Sequence, residues 1–180
     1  MRTPVAAFAG LVAVLALAIP VAGCGDDEEG TPEAVEGEPL EVGELIYNVA
    51  ITRFLNPNIV EDAAYLADAP EEPPGMSYLG VFIRINNESD ETHQSANHYT
   101  IVDGSHRVYR PFDLQTEFTL DVGAPIESEA QLPAPDTVAA AGPTQGALLL
   151  FLVDDDVSEE RPLELEVSSV LGDGKIELDI

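Results

Sequence analysis

Alternation is the feature that most constrains this chain. In "YLGVFIRIN", Tyr78 to Asn86, the apolar residues Leu79, Val81, Ile83 and Ile85 recur at every second position. A period of two puts them on one face of a β-strand and Tyr78, Phe82 and Arg84 on the other. The same period runs through "LIYNVAIT" (Leu45, Tyr47, Val49, Ile51), "LELEVSS" (Leu163, Leu165, Val167) and "KIELDI" (Ile176, Leu178, Ile180). "GALLLFLV", Gly146 to Val153, is apolar on both faces, as a strand covered on two sides must be. It is far shorter than the roughly 20 apolar residues of a membrane-spanning helix. "HYTIVD" and "HRVYRPF" read as a hairpin around a tight Gly104-Ser105 turn. "EFTL" reads as a short strand, "DTVAA" as an edge strand, and "GDG" at 172–174 as the last turn. One interruption is helical: Asn58 followed by Glu61 predicts a capping box opening a short helix from Ile59 to Leu66. The sum is an all-β sandwich over residues 45–180, with about seven to nine strands and one short helix.

The N-terminus has a different logic. Met1-Arg2 precedes a 15-residue apolar run, Val5 to Ile19, the length of a signal-peptide core rather than of a span. "VAGC", Val21 to Cys24, resembles the lipobox of bacterial lipoproteins. There, small residues suit an extended backbone in a peptidase groove, and the thiol is the nucleophile that accepts the lipid. That resemblance implies a signal peptide over residues 1–23, cleavage between Gly23 and Cys24, and diacylglyceryl and palmitate-type acylation of Cys24. The protein is then expected outside the cytoplasm, lipid-anchored to the bacterial cell membrane. Cys24 is the only cysteine, so the domain cannot be stapled by a disulfide of its own.

From Gly25 to Glu44 the chain holds nine acidic residues, no basic ones, and several Gly and Pro. Such a segment has little to bury, and residues 24–44 are expected to be a lipidated cysteine followed by a disordered acidic tether. Charge sorts the partners of the whole chain. With 34 acidic against 7 basic residues, a net −27, nucleic acid is excluded as a partner, because phosphates demand a basic surface.

The strand pattern also resembles a family. An alternating strand ending in Asn (Val81, Ile83, Ile85, Asn86 or Asn87), then a strand closing on Asp-Gly with an aromatic beyond (Ile101, Asp103, Gly104, Tyr109), is one half of the likeness. The other half is Gly-x-Leu-x-Phe after a Pro/Gly loop (Gly146, Leu148 or Leu149, Phe151). Over roughly residues 45–167 the chain is similar to an extracellular, immunoglobulin-like domain of unknown function common in Gram-positive surface lipoproteins. The resemblance implies a fold and a place at the cell surface. It implies no activity, since that family has no general catalytic residues to carry over.

His93, His98 and His106 lie within fourteen residues and offer imidazoles to Zn²⁺ or Cu²⁺, though in no zinc-site spacing. Asp154–Asp156 with Glu159 and Glu160 offer oxygens to Ca²⁺, without the D-x-D-x-D-G order. Ser105 adjoins His106, but neighbours on a strand point apart and no G-x-S-x-G elbow exists. No enzyme and no cofactor is expected. Tyr78, Phe82 and Arg84 share a face, and two readings of it stay open. It is either an exposed protein-binding patch or a surface covered by the short helix or the Pro-rich loop. The expected function is non-catalytic binding of a protein or cell-envelope component, the membrane being held through Cys24. The alternative is an extracytoplasmic lipoprotein that binds a small ligand or metal cation.

Overall fold

A computed structural model describes residues 30–180. The signal peptide, the cleavage position and Cys24 lie outside the described residues. In chain order the strands are β1 (Glu33–Val35), β2 (Leu40–Val42), β3 (Leu45–Leu55), β4 (Met76–Asn87), β5 (His93–Gln94), β6 (His98–Val102) and β7 (Val108–Tyr109). They continue as β8 (Pro125–Ile126), β9 (Gln131–Leu132), β10 (Ala147–Asp154), β11 (Glu164–Ser169) and β12 (Gly172–Glu177). Two four-residue helices, α1 (Val60–Ala63) and α2 (Val138–Ala141), and a 3-10 turn at Val157–Glu159 complete the described elements.

Two sheets face each other. One has the order β1-β12-β11-β6-β7; the other is β10-β4-β3-β2, with β9 added to β4. A two-stranded ribbon, β5-β8, closes one side. The inward rows of both sheets merge in one core, in which Tyr47, Val49, Leu79, Val81, Ile83, Ile101, Phe151, Leu165 and Ile176 are fully buried. The protein is a β-sandwich, as the alternation requires.

A second apolar layer lies on the outer face of the β10-β4-β3 sheet. Phe82 and Tyr78 are buried there, 0% and 4% exposed, with Leu55, Tyr65, Leu66, Leu114, Leu148 and Leu150. Tyr65 meets Phe82 edge-on at 5.2 Å and Phe118 at 4.7 Å. The Tyr78 hydroxyl donates to the Pro70 carbonyl. Of the two readings of the Tyr78, Phe82 and Arg84 face, the exposed patch is therefore corrected and the covered surface is what the fold holds. The chain after α1 and the segment 111–120 fold over it, leaving only Arg84 partly exposed, on Gln145. The same segment seals the free edge of β10, through Phe112 N–H to Leu150 O (2.8 Å) and Leu148 N–H to Phe118 O (2.7 Å).

Several local expectations are corrected. The tether does not extend to residue 44: β1 pairs parallel with β12, β2 pairs with β3, and Leu40 and Val42 are core residues. Between them, Gly37 N–H bonds Val49 O (2.9 Å) and Glu36 Oε1 accepts the Thr52 N–H (2.9 Å), which seals the edge of β3. A bulge between Val49 and Ile51 turns Ile51 to the outer face opposite Phe82, so it leaves the row of Leu45, Tyr47 and Val49. The helix is only four residues long, and no side chain caps it. Instead, buried Asp62 accepts the Asn56 N–H (2.9 Å) and pairs with Arg53 (2.7 Å), whose guanidinium lies over Tyr65 and Phe82. "DTVAA" contains a helix, α2, capped by Thr137. "EFTL" makes one isolated bridge, Thr119 with Leu148. The last hairpin turns at Val170-Leu171, before "GDG". Gly174 is a strand residue, where a Cβ would come within 2.8 Å of both Leu40 and Val42.

Candidate functional site

A dense polar constellation grows from the β6–β7 hairpin. Ile101 pairs with Tyr109 and Val102 with Val108, which leaves a five-residue loop, Asp103 to Arg107, in place of a two-residue turn. Asp103 organises that loop. Its Oδ1 accepts the Ser105 N–H (3.0 Å), the Ser105 hydroxyl (2.8 Å) and the Arg107 N–H (2.9 Å). Its Oδ2 accepts Arg107 Nε (2.7 Å). The Tyr109 hydroxyl sits between Asp103 Oδ2 (3.1 Å) and Asp154 Oδ2 (3.0 Å). Arg107 Nη1 extends the network to Asp154 and Asp156, each at 2.9 Å.

The electrostatics follow from these contacts. Burial pushes the Asp103 pKa up, but the bonds from the Arg107 backbone, Ser105, the Arg107 guanidinium and Tyr109 outweigh it and hold the carboxyl at about 2. Burial, and then the two carboxylates beside it, push Tyr109 above its ordinary value. Hydrogen bonds to Asp103 and Asp156 raise Arg107 despite the opposing effect of burial. Gly104 completes the loop by close approach: its N–H donates to Glu160 O at 2.7 Å, and a Cβ there would lie 2.2 Å from Arg161 O.

The chemistry this allows is that of a rigid, charge-paired corner. Ser105 spends its hydroxyl on Asp103, and His106 is exposed at φ 66°, so the pair does not form a nucleophile and base. Asp154 and Asp156 converge on Arg107, and Asp155 accepts the Ser77 hydroxyl (2.6 Å), so these three carboxylates each have a protein partner. The three histidines are not gathered either. His93 is in β5, His98 opens β6, and His106 lies beyond the other end of β6. Among the described residues no group of three or more His, Cys, Asp or Glu is arranged to hold a metal ion. That corrects the histidine cluster as a metal site.

The sequence marked Asp103, Gly104 and Tyr109 as a pattern, and Asp154 only as a calcium candidate, but missed Arg107 and its pairing with Asp154. The two lie 47 positions apart and nothing local ties them. Elsewhere, Lys175, the only lysine in the chain, sits between Glu164 (3.1 Å) and Glu166 (3.4 Å) on the outer face of the β11-β12 pair. An open recess with both apolar and polar walls lies between Pro111–Gln115, Thr119–Val122 and β10. Among the described residues no helix is long and apolar enough to cross a membrane.

No protein-family model and no curated protein matches the chain. Among solved structures, it is similar to an uncharacterized β-sandwich protein from Clostridium difficile 630, with 13% identity and a TM-score of 0.48, over 83% of this chain and 95% of that one. It is also similar to the yjhA protein from Bacillus subtilis, with 11% identity and a TM-score of 0.48, over 81% of this chain and 99% of that one.

Proposed function

We propose that this protein is a lipid-anchored, extracytoplasmic lipoprotein of the immunoglobulin-like kind, and that its sandwich is a non-catalytic module for binding a protein or envelope component. The observation that carries the reading is the order of parts along the chain. A lipobox-like Val21-Ala22-Gly23-Cys24 follows an apolar run, and the first strand of a closed sandwich begins nine residues later, at Glu33. A small domain on a short acylated stalk is a display device. The polar groups of its most organised corner bond one another, and the Ser-His pair there is not set up for transfer chemistry.

Intact mass of the membrane-extracted protein tests the anchor. A chain starting at Cys24 with a diacylglyceryl mass, lost in Cys24→Ala, is the expected result. A chain cut elsewhere and released would overturn it. Thermal melts with Zn²⁺, Cu²⁺ or Ca²⁺ test the competing cation-binding reading. The midpoint is expected to stay put, whereas a saturable rise with metal concentration would replace protein binding by cation binding.

A further inference from the structure

The topology fixes where the chain enters the domain. β1 runs parallel to β12 with Glu33 opposite Lys175, and the Pro32 carbonyl accepts the Lys175 N–H at 2.9 Å. Entry is therefore at the end of the sheet where β12 starts. Gly30–Pro32 line an open recess there with Val42, Gly43 and Leu171–Asp173. The β11–β12 turn stands at the same end, with Val170 85% exposed. The opposite end holds the Asp103–Arg107 loop, because β6 ends at Val102 opposite Glu164, and the 3-10 turn next to it, through Gly104 N–H to Glu160 O.

We propose that the entry pole, Gly30–Pro32 with the Val170–Asp173 turn, faces the lipid bilayer, and that the Asp103–Arg107 pole is directed away from it. The proposal rests on the lipoprotein reading of Cys24. Chain length is the reason. Six peptide units separate Cys24 from Gly30, and fully extended they reach roughly 22 Å at most. The six residues of β11 or β12 span roughly 20 Å between the two poles. Inverting the domain would make the stalk run back along the whole sheet, with no length left to round either end. Holding the entry pole towards the membrane needs none of that length.

The test uses the processed, full-length protein. With lipid on the Cys24 sulfur, Val170→Cys or Glu159→Cys introduces the only free thiol. Both positions are exposed, and they mark the two poles. Each variant is labelled with a donor dye and inserted into phosphatidylcholine vesicles carrying a headgroup-labelled acceptor lipid. Its intact mass and melting curve are taken on the same sample. Energy transfer from position 170 is expected to exceed that from 159 about twofold or more, since roughly 20 Å of sheet separates the poles. Equal transfer, or stronger transfer from 159, in a protein that carries the diacylglyceryl mass overturns the orientation and leaves the anchor standing. Absence of that mass overturns the anchor and the orientation with it.

Discussion

Asp103 shows how one buried carboxylate can organise a turn. It is 2% exposed and accepts bonds from three residues of its own hairpin, so its charged form is stabilised only in the folded state. Its pKa falls from the ordinary 3.8 to about 2 on folding. The unfolded chain therefore takes up the proton first as pH drops. The stabilisation is fully present above about pH 4 and is lost as pH falls towards 2. After allowance for solvent screening it amounts to roughly 1–2 kcal/mol. Asp103→Asn is expected to lower stability at pH 7 by about 2 kcal/mol, since it leaves Arg107 facing a neutral amide. Urea titrations from pH 7 to pH 2 should also show a shallower acid loss in the variant than in the parent. An identical acid slope would mean that Asp103 is not the group being protonated. The turn residues of this corner were legible in the sequence as Asp-Gly followed by Tyr109. Its ion pairs with Asp154 and Asp156 were not, because they join the β6–β7 loop to the end of β10 and the turn after it, far apart in sequence.

At the scale of elements, β3 and β4 carry the most information. In β4 the alternation read from sequence is the alternation of the fold: Leu79, Val81, Ile83 and Ile85 face the core and Tyr78 and Phe82 face away. What covers the second face was legible in part: Tyr65 and Leu66 belong to the segment read as the short helix and Pro70 to the Pro-rich loop, the two covers the sequence offered, whereas Leu114 comes from a segment with no strand period of its own. In β3 a single bulge breaks the period. Leu45, Tyr47 and Val49 point inward, and one extra residue then sends Ile51, Arg53 and Leu55 to the outer face with Phe82, Gly80 and Tyr78. Deleting Ala50 should remove the bulge and join Val49 directly to Ile51, with Val49 still facing the core and Ile51 still facing out opposite Phe82. The expected result is a cooperative melt within a few degrees of the parent's. A melt lowered by many degrees, or insoluble protein, would show that the strand needs the bulge itself.

At the scale of the whole molecule, the domain begins earlier than composition implies. Residues 33–42 are rich in glutamate, yet they supply β1 and β2, cover Gly174 with Leu40 and Val42, and place Glu36 on the edge of β3. Glu36 also accepts the Asp179 N–H at 3.1 Å, tying the start of the domain to its end. Removing residues 25–32 is expected to leave the melting temperature within a few degrees of the parent's. Removing residues 25–42 exposes the core beneath Leu40 and Val42, each worth roughly 1.5–3 kcal/mol of burial, and should cost about 4 kcal/mol or more. Chemical denaturation of the two truncations side by side checks this. Equal stabilities would return residues 33–42 to the role of a tether.

Periodicity alone determined that the chain is a β-sandwich, that β3, β4, β10, β11 and β12 line its core, and that β4 carries apolar residues on both faces. A period of two is a local property, set by the pleat of the backbone, and it survives in the linear order of residues. The tertiary structure alone decided that the Tyr78–Phe82 face is buried, that the glutamate-rich entry segment adds two strands, and that Arg107 binds Asp154 and Asp156. Each of those outcomes depends on which distant segment arrives at a surface or edge left open by the local pattern. An unpaired edge or an exposed apolar face raises the need for a partner, but the folded chain alone selects which segment meets it.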